Sequence, residues 1–118
     1  MAETDAARRA LEEQQTVEIT TVGRRSGVPR RIETWRYRAA GTFWLTGSPG
    51  RRDWYANLVA HPEFTLHLKA LDLRVRGRLV TDPDERARVF AEIVPELSWA
   101  GTTQSWIDGS PLVEIELN

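Results

Sequence analysis

The stretch Thr20-Thr21-Val22-Gly23-Arg24-Arg25-Ser26-Gly27-Val28-Pro29-Arg30-Arg31 decides the fold. β-Prone residues run into a turn bounded by two glycines, and β-prone residues follow it, so the stretch reads as a hairpin. Gly23, Ser26 and Gly27 permit tight backbone whose successive N–H groups can converge on an oxyanion, and four arginines crowd the same turn. A phosphate or carboxylate is the natural ligand of such a loop. A plain turn with solvated arginines is the competing reading.

Working outward, Val17, Ile19 and Thr21 alternate with Glu18 and Thr20, which predicts a half-buried strand before the turn. After it, Ile32, Thr34 and Arg36 alternate with Glu33, Trp35 and Tyr37. The strand over about 30–38 therefore carries its two aromatic rings on one face, toward a core or cavity. Ala40-Gly41 turns the chain, Thr42 to Thr46 is a third strand, and Gly47-Ser48-Pro49-Gly50 stops it. Arg51 to Ala60 suits a short helix with Asp53 near its start, closed by His61-Pro62.

Phe64, Leu66 and Leu68, then Leu73, Val75, Gly77 and Leu79, alternate with polar partners and form a second hairpin. Thr81-Asp82-Pro83 opens a helix reaching about residue 94. Gly101 to Ser110 reads as a loop containing Trp106, and Leu112 to Leu117 as the last strand. Residues 2–15 favour helix but offer only a thin apolar stripe, which predicts a surface helix. The order β-β-β-α-β-β-α-β behind that helix specifies an α+β protein whose six antiparallel strands curl into a small barrel. The domain division is an N-terminal helix over residues 1–15 and a single domain over 16–118.

Composition bounds the chemistry. The 118 residues are 41% hydrophobic and 28% charged, as expected of one ordered domain, and no apolar run approaches the roughly 20 residues that cross a bilayer. With a polar, acidic start, the expectation is a cytoplasmic protein. Cysteine is absent, which removes disulfides, thiolate catalysis and cysteine-ligated metals. His61 and His67 have no metal-ligand spacing, and no serine lies in a nucleophile-elbow setting, so no metal site and no side-chain hydrolysis is expected. Chemistry would have to come from a cofactor.

The net charge is only −1, yet eight of the sixteen basic residues fall between Arg24 and Arg52, against the single acid Glu33. That is a local field for a small polyanion rather than a nucleic-acid face. Five tryptophans add flat surface on which planar rings can stack. Together these features point to a flat aromatic ligand with a negatively charged tail.

The T-T-x-G-R-x-S-G-x-P-R block over Thr20–Arg30, the W-Y-x-N-L block over Trp54–Leu58 with Pro62, Leu71-Asp72-Leu73, and Thr81-Asp82 with Glu85-Arg86-Ala87 resemble the deazaflavin-dependent nitroreductase family over residues 17–117. The resemblance implies a six-stranded split β-barrel related to flavin reductases and pyridoxamine-phosphate oxidases, and a homodimer. It further implies the deazaflavin coenzyme F420, with hydride passing from its reduced form to a small organic acceptor: an enone, quinone or nitro compound. By that resemblance Arg24, Arg25, Ser26, Gly27 and Arg30 surround the coenzyme's phosphate and acidic tail, and Ser48, Gly50, Arg51, Arg52 and Trp54 form a second wall. Trp35, Thr103 and Trp106 fall to the substrate pocket, with Ala100 and Thr103 near where relatives carry tyrosines. Two other functions suit the same barrel: an FMN-dependent oxidoreductase, and a non-catalytic binder of a cofactor, fatty acid or other hydrophobic anion.

Overall fold

In a computed structural model describing residues 2–117, the elements are α1 (Ala2–Glu13), β1 (Thr16–Val22), β2 (Pro29–Ala39), β3 (Thr42–Thr46), α2 (Asp53–Ala60), β4 (Glu63–Leu68), β5 (Leu71–Leu79), α3 (Pro83–Ile93), a 3₁₀ turn (Val94–Glu96), α4 (Thr103–Gly109) and β6 (Leu112–Glu116). The strands close into an antiparallel barrel in the order β1-β2-β3-β6-β5-β4. The alternation read from the sequence sorts its two surfaces. Val17, Ile19, Phe43, Leu45, Phe64, Leu66, Val75, Val113 and Ile115 fill the interior. Gly77 belongs to this inner set because an added Cβ would lie 2.7 Å from Val113 Cγ1.

Helices close the two ends. α1 is not the surface helix its composition predicts: Ala7 and Leu11, one turn apart, are fully buried in the interior cluster. Small side chains suffice because a barrel mouth admits little more, so a thin stripe makes an adequate plug. Arg36 fixes it, donating from Nε to the carbonyls of Leu11 (2.6 Å) and Gln14 (2.9 Å) and from Nη2 to that of Glu12 (3.1 Å). A cation on the last carbonyls of a helix satisfies both their lone pairs and the helix dipole. At the other end Trp54 and Leu58 of α2 close the interior.

One outer wall carries a second core, in which α3, the 3₁₀ turn and α4 cover Tyr37, Ala39, Trp44, Val80 and Leu112. Asp82 caps α3 by accepting Glu85 N–H at 2.9 Å, with Pro83 at its first position. Residues 103–109, expected as loop, are helical. Thr102 Oγ1 accepts Ser105 N–H at 3.2 Å, and Trp106 is the buried anchor, donating Nε1–H to Ala100 O at 2.9 Å. Trp35 and Tyr37 do share a face, but it is this outer one. Tyr37 is covered, whereas Trp35 is 42% exposed, its ring 6.3 Å edge-on to Trp99.

Candidate functional site

The turn joining β1 to β2 spends its backbone donors on itself. Gly23 N–H donates to Val28 O (2.9 Å), Gly27 N–H to Gly23 O (2.9 Å) and Val28 N–H to Ser26 Oγ (3.1 Å), while Arg24 N–H reaches Asn57 Oδ1 (3.1 Å). Four of the N–H groups expected to converge on an oxyanion are therefore already satisfied within the protein. Ser26 and Gly27 shape the turn, Gly27 at φ +70° and Ser26 Oγ only 2.5 Å from where a Cβ on Gly23 would stand. What the turn presents outward is guanidinium charge.

That charge borders a cleft of about 990 Å³. Arg24 and Arg25 come from the turn, Gly50, Arg51 and Arg52 from the β3–α2 loop, Tyr55 and Ala56 from α2, and Asp108 to Pro111 from the end of α4. Arg52 braces its loop, donating from Nη2 to Ser48 O at 2.9 Å and from Nη1 to Arg51 O at 3.3 Å, with Gly47 and Gly50 folded tightly against it. Gly50, at φ +137°, ties the loop to α4 through its N–H to Gly109 O at 3.0 Å. Arg25 and Arg51 make no side-chain hydrogen bond or ion pair among the described residues.

Two residues organise this border. Asn57, 4% exposed on α2, accepts both Arg24 N–H and Arg24 Nη1–H on Oδ1 (3.1 Å each) and donates Nδ2–H to Thr21 Oγ1 (3.1 Å). It locks the turn to the helix and aims Arg24, whose Nη2 stands 3.5 Å from Asp53. Arg86 of α3 secures the far wall, donating to the carbonyls of Val80 (3.0 Å), Trp106 (3.3 Å), Ile107 (2.9 Å) and Ser110 (2.5 Å). Burial pulls its pKa below the usual arginine range, and Tyr55 and Asp108 work the other way. Sequence reading singled out neither role. Asn57 stood in the W-Y-x-N-L block, where a buried amide on a helix one turn from an arginine-rich loop is the available signal.

The structure thus gathers Arg24, Arg25, Gly50, Arg51 and Arg52 around one cleft and leaves the other expected residues outside its lining. Ser26 and Gly27 serve the turn, Arg30 lies opposite Thr21 in the β1–β2 ladder, and Ser48 contributes its carbonyl to Arg52. Trp54 is a correction. Its indole is buried in the barrel end, and the ring facing the cleft is that of its neighbour Tyr55. Trp106 is a second correction, since it is fully buried and packed between Phe90 and Trp99. Thr103 opens α4, and Trp35 lies on the outer wall beside Trp99 rather than in this cleft.

A hydrogen-bonded chain on the uncovered barrel wall also escaped the sequence reading, which put His67 on a polar strand face. His67 accepts or donates at Nε2 to Thr20 Oγ1 (2.7 Å) and at Nδ1 to Asp72 Oδ1 (2.9 Å), pinning β1 to the β4–β5 hairpin. No group of three metal-ligating side chains is present among the described residues.

Comparison with known proteins gives the site its context. Among solved structures the chain is similar to a protein described as a pyridoxamine 5'-phosphate oxidase from Listeria innocua (13% identity, 96% of this chain and 91% of that one, TM-score 0.68). It is also similar to an F420-H2 dependent reductase (19% identity, 87% and 95%, TM-score 0.63) and to a chain solved as a domain-swapped dimer (19%, 95% and 95%, TM-score 0.60). At these identities the likeness establishes the fold, an α+β split β-barrel of the pyridoxamine-phosphate-oxidase type. The family described as F420H(2)-dependent quinone reductase matches residues 2–116, nearly the whole chain, and the chain therefore belongs to the F420H2-dependent quinone reductase family.

Proposed function

We propose that the arginine-rimmed cleft holds the phosphate and acidic tail of F420, and that this oxidoreductase delivers reducing equivalents to a quinone or a chemically similar small acceptor, an enone or nitro compound. The observation that carries the reading is the pair Arg25 and Arg51, two guanidinium groups with no partner among the described residues, brought to one cleft from two different loops. The residues present fit such a group. Guanidinium forks match phosphodiester and carboxylate oxygens in geometry and charge. Ser110 adds a buried hydroxyl, on the cleft wall, without a hydrogen-bond partner among the described residues.

When bound, reduced F420 supplies the hydride. The chain's own part is binding and orientation: Asn57 and Asp53 hold Arg24 in place, Arg52 stiffens the loop that carries Arg51, and Arg86 fixes the wall that Ser110 occupies. The reading includes a homodimer in the cytoplasm. A domain-swapped dimer among similar structures supports the dimer, and light scattering on the purified protein tests it.

Titration with F420 and with FMN, followed by tryptophan quenching and then by menadione-driven oxidation of F420H2, tests the proposal. F420 binding with turnover is expected. Absence of F420 binding refutes the cofactor reading, binding without turnover on any acceptor favours the non-catalytic binder, and selective FMN binding favours the flavin enzyme.

A further inference from the structure

Arginines dominate the lining of the cleft, and the ionisable groups that stand among them are Asp53, Asp108 and Tyr55. The chain's other tyrosine, Tyr37, is covered in the outer core, His61 and His67 line other surfaces, and cysteine is absent. Tyr55 makes no side-chain hydrogen bond among the described residues. Ser110 Oγ is the one unpartnered side-chain polar atom fully enclosed there, so the Tyr55 hydroxyl, equally unpartnered, opens to the cleft that its residue lines. The phenol ring stands edge-on to the buried Trp54 indole at 6.2 Å, and it lies near enough to the Arg86 guanidinium to act on its charge. Arg86 cannot turn away, because its N–H groups are committed to four backbone carbonyls.

We infer that Tyr55 is the general acid of the reduction, donating its hydroxyl proton to the acceptor oxygen on which negative charge develops. The inference rests on the cofactor reading above and adds a catalytic side chain to it. A hydride brings a quinone two electrons and one hydrogen, which leaves a hydroquinone monoanion one proton short. The Tyr55 O–H bond breaks as an O–H bond forms on that anion, and the phenolate takes its proton back from water. The other side chains of the cleft suit the step less well. A carboxylate has no proton to give near neutral pH, a guanidinium does not release its own, and an aliphatic hydroxyl is too weak an acid. A fixed cation beside the phenol stabilises the phenolate for the moment that it exists, and Arg86 supplies one.

The test is Tyr55→Phe, which removes an oxygen without a partner among the described residues and keeps the ring beside Trp54. Its melting temperature and its F420 affinity should match those of the unaltered protein, while kcat with menadione should fall about 100-fold. Across a series of substituted benzoquinones the loss should grow with the basicity of the hydroquinone anion formed, because a general acid matters most to the oxygen that most needs its proton. A second readout needs no turnover. Lawsone, a hydroxynaphthoquinone that is an anion at neutral pH, stands in for the charged product, and calorimetric titration into protein saturated with oxidised F420 should show it bound about 10-fold more weakly by the variant. Full turnover of every quinone by the variant, a loss of the same size across the series, or equal lawsone affinity in the two proteins overturns the role of Tyr55 and leaves the cofactor reading standing. A variant that melts well below the unaltered protein shows the hydroxyl to be structural and overturns that role as well. Failure of the unaltered protein to bind F420 overturns both.

Discussion

Asn57→Ala removes a side chain that joins the arginine turn, the first strand and the second helix. Its Oδ1 accepts a backbone and a guanidinium N–H from Arg24, and its Nδ2 serves Thr21 Oγ1, inside the barrel mouth. Each neutral bond is worth about 1 kcal/mol net, and the guanidinium bond falls at the low end of the charged range, about 1.5 kcal/mol, because Arg24 is partly solvated. Truncation also leaves buried Thr21 without this donor. The expected loss is about 3.5 kcal/mol, and for a chain of this length that lowers the melting temperature by roughly 14 °C.

Urea unfolding measures the first number and F420 titration the consequence for binding. With Arg24 no longer held, affinity should fall about 5–30-fold, equivalent to roughly 1–2 kcal/mol. Asn57→Asp separates the contributions. It keeps an Oδ1 acceptor for Arg24, and the Thr21 hydroxyl can rotate to donate to its second oxygen, so near neutral pH it should stay within about 1 kcal/mol of the unaltered protein. Arg24→Ala combined with Asn57→Ala should cost less than the two changes added separately, by about 1 kcal/mol, because the pair is in contact. The reasoning is refuted if Asn57→Ala unfolds within about 0.5 kcal/mol of the unaltered protein, or if it destabilises as expected and leaves the F420 constant unmoved.

Three further outcomes follow from the geometry. Arg25→Ala with Arg51→Ala, at residues lacking partners among the described residues, should leave the urea midpoint unchanged while weakening F420 binding by about 1–3 kcal/mol per lost charge-assisted contact, steeply with salt; unchanged affinity refutes the cleft's assignment. Leu11→Ala, at the fully buried plug, should cost about 2–4 kcal/mol in urea unfolding and leave F420 affinity intact, since the plug closes the end of the barrel away from the cleft. Glu85 accepts Arg78 Nη1–H and Nη2–H at 3.1 and 2.5 Å, and that pairing holds its carboxyl below the usual range. A depressed carboxylate stabilises the fold above its unfolded-state pKa, and the contribution is lost as pH falls through the folded one. Glu85→Gln should therefore flatten the decline in melting temperature between about pH 5 and pH 3.

The barrel was legible because its strands obey period 2: the inward set Val17, Ile19, Phe64, Leu66, Val75 and Ile115 is visible in the alternation itself. Alternation fixes faces without saying which face is the interior. Trp35 and Tyr37 were read together as facing a core or cavity: Tyr37 does enter a core, the one that α3 and α4 build on the outer wall, while Trp35 at its margin stays exposed. α4 was read as loop because Thr, Ser and Gly dominate 101–110, although the Thr102–Ser105 cap was there to be seen. The arginines of the site were legible as a charge cluster. Their orientation was not, since it depends on a hydrogen bond from a turn at residue 24 to a helix at residue 57.

That long-range contact explains why the site and the barrel end are a single construction. α2 turns Trp54 and Leu58 inward as a stopper and Tyr55 and Ala56 outward as cleft wall. Asn57 lies between those two surfaces, so the energy that seats the stopper also aims Arg24. A change that loosens α2 must move both, whereas a change at Arg25 or Arg51 touches only the rim. The two classes of variant therefore separate in a plot of stability against F420 affinity: substitutions of Asn57 and Leu58 should fall along a correlated line, and those of Arg25 and Arg51 along the affinity axis alone. A correlated loss of stability at Arg25 and Arg51 would mean that the rim arginines also hold the fold, contrary to their lack of partners among the described residues.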